Sequence, residues 1–287
     1  MLAGRFAPSP TGPLHMGSLL TALASYLHIK AQGGEWFVRI DDLDPPREDP
    51  AASAAILTSL RAHGLTGDRP IDYQSSHTDR YQRALQQLEA QIFYCTCTRK
   101  AMASHRVYPG TCREFTSPRP DSSVRLHVSE RARKDLAFDD GVKGRQKIDI
   151  AGDIGDFIVR RRDGLWAYNF ATAVDDGFDT THVVRGEDLF HVTPQQIFLM
   201  QQLELAPPHY CHIPVLCFAD GTKLSKQAHA PAVDNKLAPT NLRHALRYLG
   251  LAPADNPHWS VAQWLAWGME HWSIEKIPSR LAPYQGH

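Results

Sequence analysis

The sequence predicts an α/β protein: a parallel sheet, interrupted by an inserted α+β segment and closed by a short helical region. Three observations carry this expectation. Short apolar runs alternate with helical stretches from the N-terminus, the order that builds a parallel sheet with right-handed crossovers. The alternation gives way to Cys- and Pro-rich sequence near Tyr94 and resumes near Val183. At 287 residues, with 43% hydrophobic and 22% charged residues, the chain can bury one large domain or two unequal ones.

Residues Leu2 to Ala7 suit a buried strand, and a helix follows from about Met16 to Ala31. Leu19, Leu20, Leu23, Tyr26 and Leu27 recur there at helical spacing, and Gly33-Gly34 ends the run. Trp36 to Ile40 reads as a second strand. Asp49-Pro50 offers an N-cap and a first-turn proline for an Ala-rich helix from Ala51 to His63, closed by Gly64. Within the insert, Val124 to Val128 and Phe157 to Arg161 are short strand candidates, and Arg162-Asp163-Gly164 suits a tight turn before Trp166 to Asn169. The parallel pattern resumes with Val183-Val184, a helix near Pro194 to Leu205 and a strand from Ile213 to Phe218. From Pro239 the chain is helical, with Leu242, Leu246, Leu249 and several tryptophans as packing residues. The expected boundaries are a first half of the parallel-sheet domain at 1–93, an insert at 94–182, a second half at 183–235 and a tail at 236–287.

Basic and acidic residues balance at 31 each, so an RNA partner would require cations concentrated locally. Arg160-Arg161-Arg162 and the group Arg131, Arg133 and Lys134 are the candidate patches; solvated faces are the plainer alternative. No apolar run reaches the length of a membrane span, and the N-terminus lacks the apolar core of a signal peptide, so a cytoplasmic location and no membrane partner are expected. Of five cysteines, Cys95, Cys97 and Cys112 share a short window. That pattern favours a metal or buried thiols over a disulfide framework. A structural Zn²⁺ normally takes four donors, and His105 is the generic fourth. Cys211 and Cys217 fall in the resumed sheet, as buried apolar residues.

Two motifs lie about two hundred residues apart. The first runs Arg5-Phe-Ala-Pro-Ser9-Pro-Thr-Gly-Pro-Leu-His15-Met-Gly17-Ser18, and the second Asp220-Gly-Thr-Lys223-Leu-Ser-Lys226. In the first, a strand and a Gly/Pro turn lead into a helix with His15 and Gly17 at its mouth. Unpaired N–H groups and the positive dipole end suit a polyphosphate there, and Gly17 permits close approach of the backbone. In the second, two lysines on a Gly-containing loop could follow phosphate charge through a reaction.

These residues resemble the HIGH and KMSKS signatures of class I aminoacyl-tRNA synthetases, His15-Met-Gly-Ser18 standing for the first and Lys223-Leu-Ser-Lys226-Gln227 for the second. The stretch from Arg5 to Gly12 is similar to the glutamyl branch of that class. The resemblance implies a Rossmann-like parallel-sheet catalytic domain, with ATP and Mg²⁺ used to activate L-glutamate. It implies catalytic roles for His15, Lys223 and Lys226, with ATP held at His15, Gly17 and Lys226. It also implies glutamate recognition by Arg5, Ser9, Asp41, Tyr168 and Arg185. Charge agrees: each substrate carboxylate wants an arginine, its ammonium wants an acid such as Asp41, and Tyr168 can donate a hydrogen bond. The family usually has Glu at the position of Asp41, whose shorter side chain would reach through a water or a small backbone shift. The family's Cys-x-Cys and Tyr-x-x-x-Cys spacing implies Tyr108 as the fourth zinc ligand.

About sixty residues follow Lys226, too few for the anticodon-reading domain of a full-length glutamyl-tRNA synthetase. The resemblance therefore narrows to the truncated family of glutamyl-queuosine tRNA(Asp) synthetases. Members activate glutamate without tRNA and transfer it to queuosine at the wobble position of tRNA(Asp). No obligatory protein partner is evident. Two other readings stand beside this one: a catalytic fragment charging the ordinary tRNA 3′ end, and an inactive RNA-binding paralogue. Intact His15, Lys223 and Lys226 argue against the last.

Overall fold

The computed structural model describes residues 1–129, 136–225, 230–253, 256 and 258–285. A seven-stranded sheet is its backbone, in the order β3-β2-β1-β9-β10-β6-β7. Its strands are β1 (Ala3–Phe6), β2 (Glu35–Ile40), β3 (Asp72–Tyr73), β6 (Leu136–Asp140), β7 (Gly144–Ile148), β9 (His182–Gly186) and β10 (His209–Ile213). All neighbours pair in parallel except β6 and β7, which form a hairpin. A second, antiparallel sheet holds β4 (Ile92–Cys95), β5 (Ser123–Leu126) and β8 (Phe157–Arg160). The segment expected as one insert thus serves both sheets, because the β6–β7 hairpin joins the large one through β10.

Helix α1 (Met16–Lys30) packs against β1 and β9. Gly4 makes this close approach possible, since a Cβ there would lie 2.5 Å from Ile29. Helices α2 (Ala52–Ala62), α7 (Ala238–Tyr248) and α8 (Val261–His271) complete one apolar layer. The opposite face is covered by α3 (Thr78–Gln87), α5 (Tyr168–Asp179) and α6 (Thr193–Gln202). A single turn, α4 (Arg99–Met102), follows β4. The tail tryptophans pack: Trp264 is buried, Trp259 lies 4.7 Å from it, and Trp272 donates its indole N–H to His28.

Several expectations shift. The Asp49 side chain accepts the N–H of Ala51, but regular helix starts one residue later than expected, so the N-cap is Ala51, with no side-chain cap, and Asp49-Pro50 lie just ahead of the helix. The strand expected from Ile213 to Phe218 ends at Ile213, where Pro214 can donate nothing to the ladder. Cys211 is buried on β10 as expected, whereas Cys217 is half-buried in the loop beyond it. The turn at Gly164 forms, with φ of +84°, and Trp166 pairs back onto Arg160; Tyr168 and Asn169 then open α5. Arg131, Arg133, Lys134 and Lys226 lie outside the described residues.

From β1 the chain builds outward through β2 and β3, whereas β9 and β10 extend the sheet on the other side of β1. This reversal leaves a crevice beyond the carboxyl ends of β1 and β9, the place where open parallel sheets bind ligands.

Gly250, which follows α7, links the tail to the rest of the fold. Its φ is +79°, and a Cβ would lie 2.1 Å from the Lys276 carbonyl oxygen. Gly250→Ala is expected to lower the unfolding free energy by about 1–3 kcal/mol, read from urea denaturation.

Candidate active site

The crevice contains two connected clefts of about 540 and 560 Å³ that share Ser9, Arg47 and Tyr168 in their walls. Beneath them lies a ladder of buried charges. Arg5 on β1 donates Nε and Nη2 to the two carboxylate oxygens of Asp176 on α5, at 2.9 Å each. Arg39 on β2 donates Nη1 to Asp176 and Nε to Asp41 Oδ1, at 2.9 and 2.8 Å. Asp41 follows β2 directly, and its N–H is held by the Pro8 carbonyl. All four residues are buried. Its Oδ2, also buried, has no hydrogen-bond partner among the described residues, and Asp41 lines the wider cleft.

Burial raises the Asp41 carboxyl to about 6, although Arg39 and Arg5 oppose this. Asp176 goes the other way. Burial disfavours its charge, but Arg5, Arg39 and Arg185 outweigh that and hold it at about 2.

Arg185 on β9 is 3% exposed and is fastened on three sides. Its Nε donates to His212 Nε2 at 3.0 Å, and its Nη2 to Thr193 Oγ1 and Gln196 Oε1 at 2.7 and 2.8 Å. The Tyr210 ring lies 5.1 Å from the guanidinium carbon. Nη1 is buried without a partner among the described residues, and Arg185 lines the narrower cleft. Tyr168, at the start of α5, stands between the clefts and is partly exposed. Of the residues expected to recognise substrate, Arg5, Ser9, Tyr168 and Arg185 line one cleft; Asp41 joins Ser9 and Tyr168 in the other.

At the mouth of α1, His15 caps the helix. Its Nδ1 accepts the N–H of Ser18 at 3.2 Å, and its Nε2 lies 3.1 Å from the Ser18 hydroxyl. A Cβ on Gly17 would come within 3.2 Å of this ring, so glycine leaves the helix mouth open. The Lys223 ammonium meets Asp188 across the cleft at 2.5 Å. Val233 donates its N–H to Leu14, and Leu224 is buried nearby, so the residues flanking the second motif are fixed beside the helix mouth.

In the smaller lobe the sulfurs of Cys95, Cys97 and Cys112 lie within 4.8 Å of one another, spaced to hold a metal ion. The Tyr108 hydroxyl approaches Cys95 and Cys97 at 3.4 and 3.8 Å and accepts the N–H of Cys112 at 2.9 Å. His105 is exposed and is not part of this cluster. Burial opposes ionisation of Cys112, yet hydrogen bonds from Tyr108 and the Thr96 backbone outweigh it and lower the thiol to about 7. The expected basic patch at Arg160 to Arg162 is tied to this lobe and its rim. Arg160 lies over Trp166, Arg161 pairs with Asp44 and Asp163, and Arg162 donates to the Thr96 and Cys97 carbonyls.

Sequence reasoning missed Arg39, Asp176, His212 and Asp140. Three had a weak local signal: Arg39 and His212 interrupt apolar strands, and Asp175-Asp176 sits inside an apolar helix face; Asp140 had none.

Comparison with known proteins agrees with this arrangement. The family model for the catalytic domain of class I tRNA synthetases (E and Q) matches residues 1–256. Among relatives, the glutamyl-Q tRNA(Asp) synthetase of Pseudomonas fluorescens is 44% identical, over 97% of this chain and 94% of that protein. That of Neisseria meningitidis is also 44% identical, over 97% and 98% respectively. A glutamate-tRNA synthetase structure from Elizabethkingia anophelis superposes with a TM-score of 0.80 at 22% identity, covering 99% of this chain and 68% of that one, a likeness of fold. The chain belongs to the class I tRNA synthetases of the glutamyl and glutaminyl type, and within them to the family of glutamyl-Q tRNA(Asp) synthetases, which are ligases.

Asp176→Asn would leave Arg5 and Arg39 buried with a neutral neighbour. It is expected to cost about 3–5 kcal/mol of stability in urea denaturation at neutral pH. The sign with pH follows from the lowered carboxyl. The contribution is complete above the ordinary value of 3.8 and is lost as pH falls through about 2, so the gap between wild type and variant closes in acid.

Proposed function

We propose that the protein activates L-glutamate with ATP in the absence of tRNA and transfers the glutamyl group to queuosine at the wobble position of tRNA(Asp). The observation that carries the amino-acid half is that two of the unmatched buried atoms belong to cleft-lining residues of opposite charge. Arg185 Nη1 is a charged donor and Asp41 Oδ2 an acceptor, and neither has a partner among the described residues. A buried polar atom left unpaired is costly, and at the wall of a cleft a bound ligand can supply the missing partner. Glutamate matches them: a carboxylate for Arg185 and the ammonium for Asp41. Arg5, Ser9 and Tyr168 line the space between and would complete its recognition. The queuosine acceptor is supported by the names of relatives that match almost the whole chain.

In the first step an oxygen of the glutamate α-carboxylate attacks the α-phosphorus of ATP. The bond to the bridging oxygen breaks, pyrophosphate leaves, and glutamyl-adenylate remains. In the second, a queuosine hydroxyl attacks the adenylate carbonyl, giving an ester and AMP. Positioning and charge stabilisation supply the catalysis, with no covalent nucleophile on the protein. His15 and the open backbone at Gly17 would receive the phosphates, and Lys226 would stabilise the charge developing on them. Lys223 would exchange Asp188 for phosphate and so help hold the loop on the nucleotide. Mg²⁺ would arrive with ATP and offset phosphate charge. Cys95, Cys97, Cys112 and the Tyr108 hydroxyl would hold a structural Zn²⁺ that fixes the small lobe.

Three outcomes are expected. Lys226→Ala should reduce glutamate-dependent ATP–pyrophosphate exchange by about 10²–10³ while leaving the unfolding transition in place. Elemental analysis of protein purified without chelators should find zinc, and Cys112→Ser should lose it together with thermal stability; metal-free wild type overturns the site. Labelled glutamate should enter tRNA(Asp) only from cells that make queuosine, and periodate oxidation of the queuosine diol should abolish the labelling. Equal labelling of tRNA(Glu) with and without queuosine would identify a synthetase of the 3′ end instead. Loss of both exchange and transfer would indicate an inactive paralogue.

A further inference from the structure

The guanidinium of Arg185 owes its orientation to a buried chain of hydrogen bonds that crosses three adjacent strands. Parallel pairing sets His212 of β10 directly beside Arg185 of β9, and Tyr210 of β10 beside Asp140 of β6. Asp140 Oδ2 lies 2.5 Å from His212 Nδ1, and both side chains are fully buried. Oδ1 of the same carboxylate accepts the N–H groups of Val142 and Lys143, at 3.0 and 2.9 Å. This fixes the carboxylate as well as the ring.

The proton positions follow from the partners. An ionised carboxylate only accepts, so His212 Nδ1 donates to it. A neutral imidazole that donates through Nδ1 can only accept through Nε2. Arg185 Nε, which can only donate, lies 3.0 Å from that atom. Thr193 Oγ1 closes the ring, 2.9 Å from Nε2 and 2.7 Å from Arg185 Nη2. Ring packing holds the same geometry: Tyr210 stacks on His212 at 13°, and Phe190 meets it edge-on at 88°. With Nε and Nη2 both engaged, Nη1 is the donor left at the cleft.

We propose that Asp140 and His212 form a positioning relay that fixes Arg185 with Nη1 presented to a substrate carboxylate, making His212 a determinant of amino-acid affinity without touching the substrate. The inference rests on the reading of Arg185 as a glutamate ligand. The relay also explains why lysine could not serve: an ammonium cannot engage His212, Thr193 and Gln196 and still present a donor in a fixed plane.

Two substitutions separate positioning from packing. In His212→Asn the amide nitrogen can reach Asp140, but nothing accepts from Arg185 Nε, while Thr193 and Gln196 still hold Nη2. In His212→Gln the longer side chain brings an amide oxygen to Arg185 Nε. The proposal expects His212→Asn to raise the glutamate KM about tenfold or more in ATP–pyrophosphate exchange, with the ATP KM unchanged. It expects His212→Gln to recover most of that loss. Equal effects of the two variants, or none, would overturn it. Arg185→Gln is the control. If it leaves the glutamate KM unchanged, the glutamate reading of Arg185 fails. If it raises that KM while His212→Asn does not, only the relay fails. Should either histidine variant not fold, ¹⁵N NMR of the wild-type imidazole decides. The Nδ1-protonated neutral tautomer is expected at neutral pH, and a proton on Nε2 would refute the relay.

Discussion

The site depends on charges taken out of water beside the point between β1 and β9 where the strand order turns back. Arg5, Asp176, Arg39 and Asp41 alternate in sign from strand to helix to strand and back to the strand end. Each is affordable only because its neighbour is present: an isolated buried ion costs several kcal/mol, whereas a well-hydrogen-bonded pair recovers most of that. The ladder therefore locks β1, β2 and α5 into one register. It is also incomplete: among the described residues Arg39 Nη2 and Asp41 Oδ2 within the ladder, and Arg185 Nη1 beyond it, are buried without a hydrogen-bond partner. The fold supports a polar floor with hydrogen-bonding capacity left over.

A division of labour follows. Arg5 and Arg185, proposed to meet the amino acid, sit on strands and are oriented by buried partners. His15, Gly17 and Lys223, proposed to meet phosphate, sit at a helix mouth and on a loop, where Lys223 is half-exposed and paired with Asp188. Rigid recognition of a small zwitterion and adaptable contact with a polyphosphate require different mechanical properties, and the architecture provides each in its own place.

Much of this was legible in the sequence because it is local. The turn from Pro8 to Gly12, the cap at His15 and the apolar face of α1 each depend on neighbours a few residues away, and Cys95, Cys97, Cys112 and Tyr108 fall within one short window of sequence. What could not be read depends on long-range pairing. Arg5 and Asp176 are 171 residues apart, and Asp140 and His212 are 72 apart. The strand β10 was displaced in the sequence reading because its two histidines disguise an alternation: Tyr210 and His212 face α6 while Cys211 and Ile213 face α1. Propensity also misled at Tyr168. A stretch containing Thr, Val and Gly with two aspartates is a poor helix on its own, and it forms α5 because Asp175 and Asp176 find cationic partners beneath it.

The packing of the tail has a mechanical meaning. Helix α8 approaches α1 so closely at Gly268 that a Cβ there would touch Leu27 and Leu246 at 3.1 Å, and Trp272 clasps His28 near the far end of α1. The same α1 presents His15 and Gly17 at its opposite end. A helix is stiff along its axis, so the tail acts as a footing that sets the depth at which the helix mouth stands in the crevice. Loosening this Trp-rich segment would thus displace His15 and Gly17 together, without breaking any bond of the charge ladder.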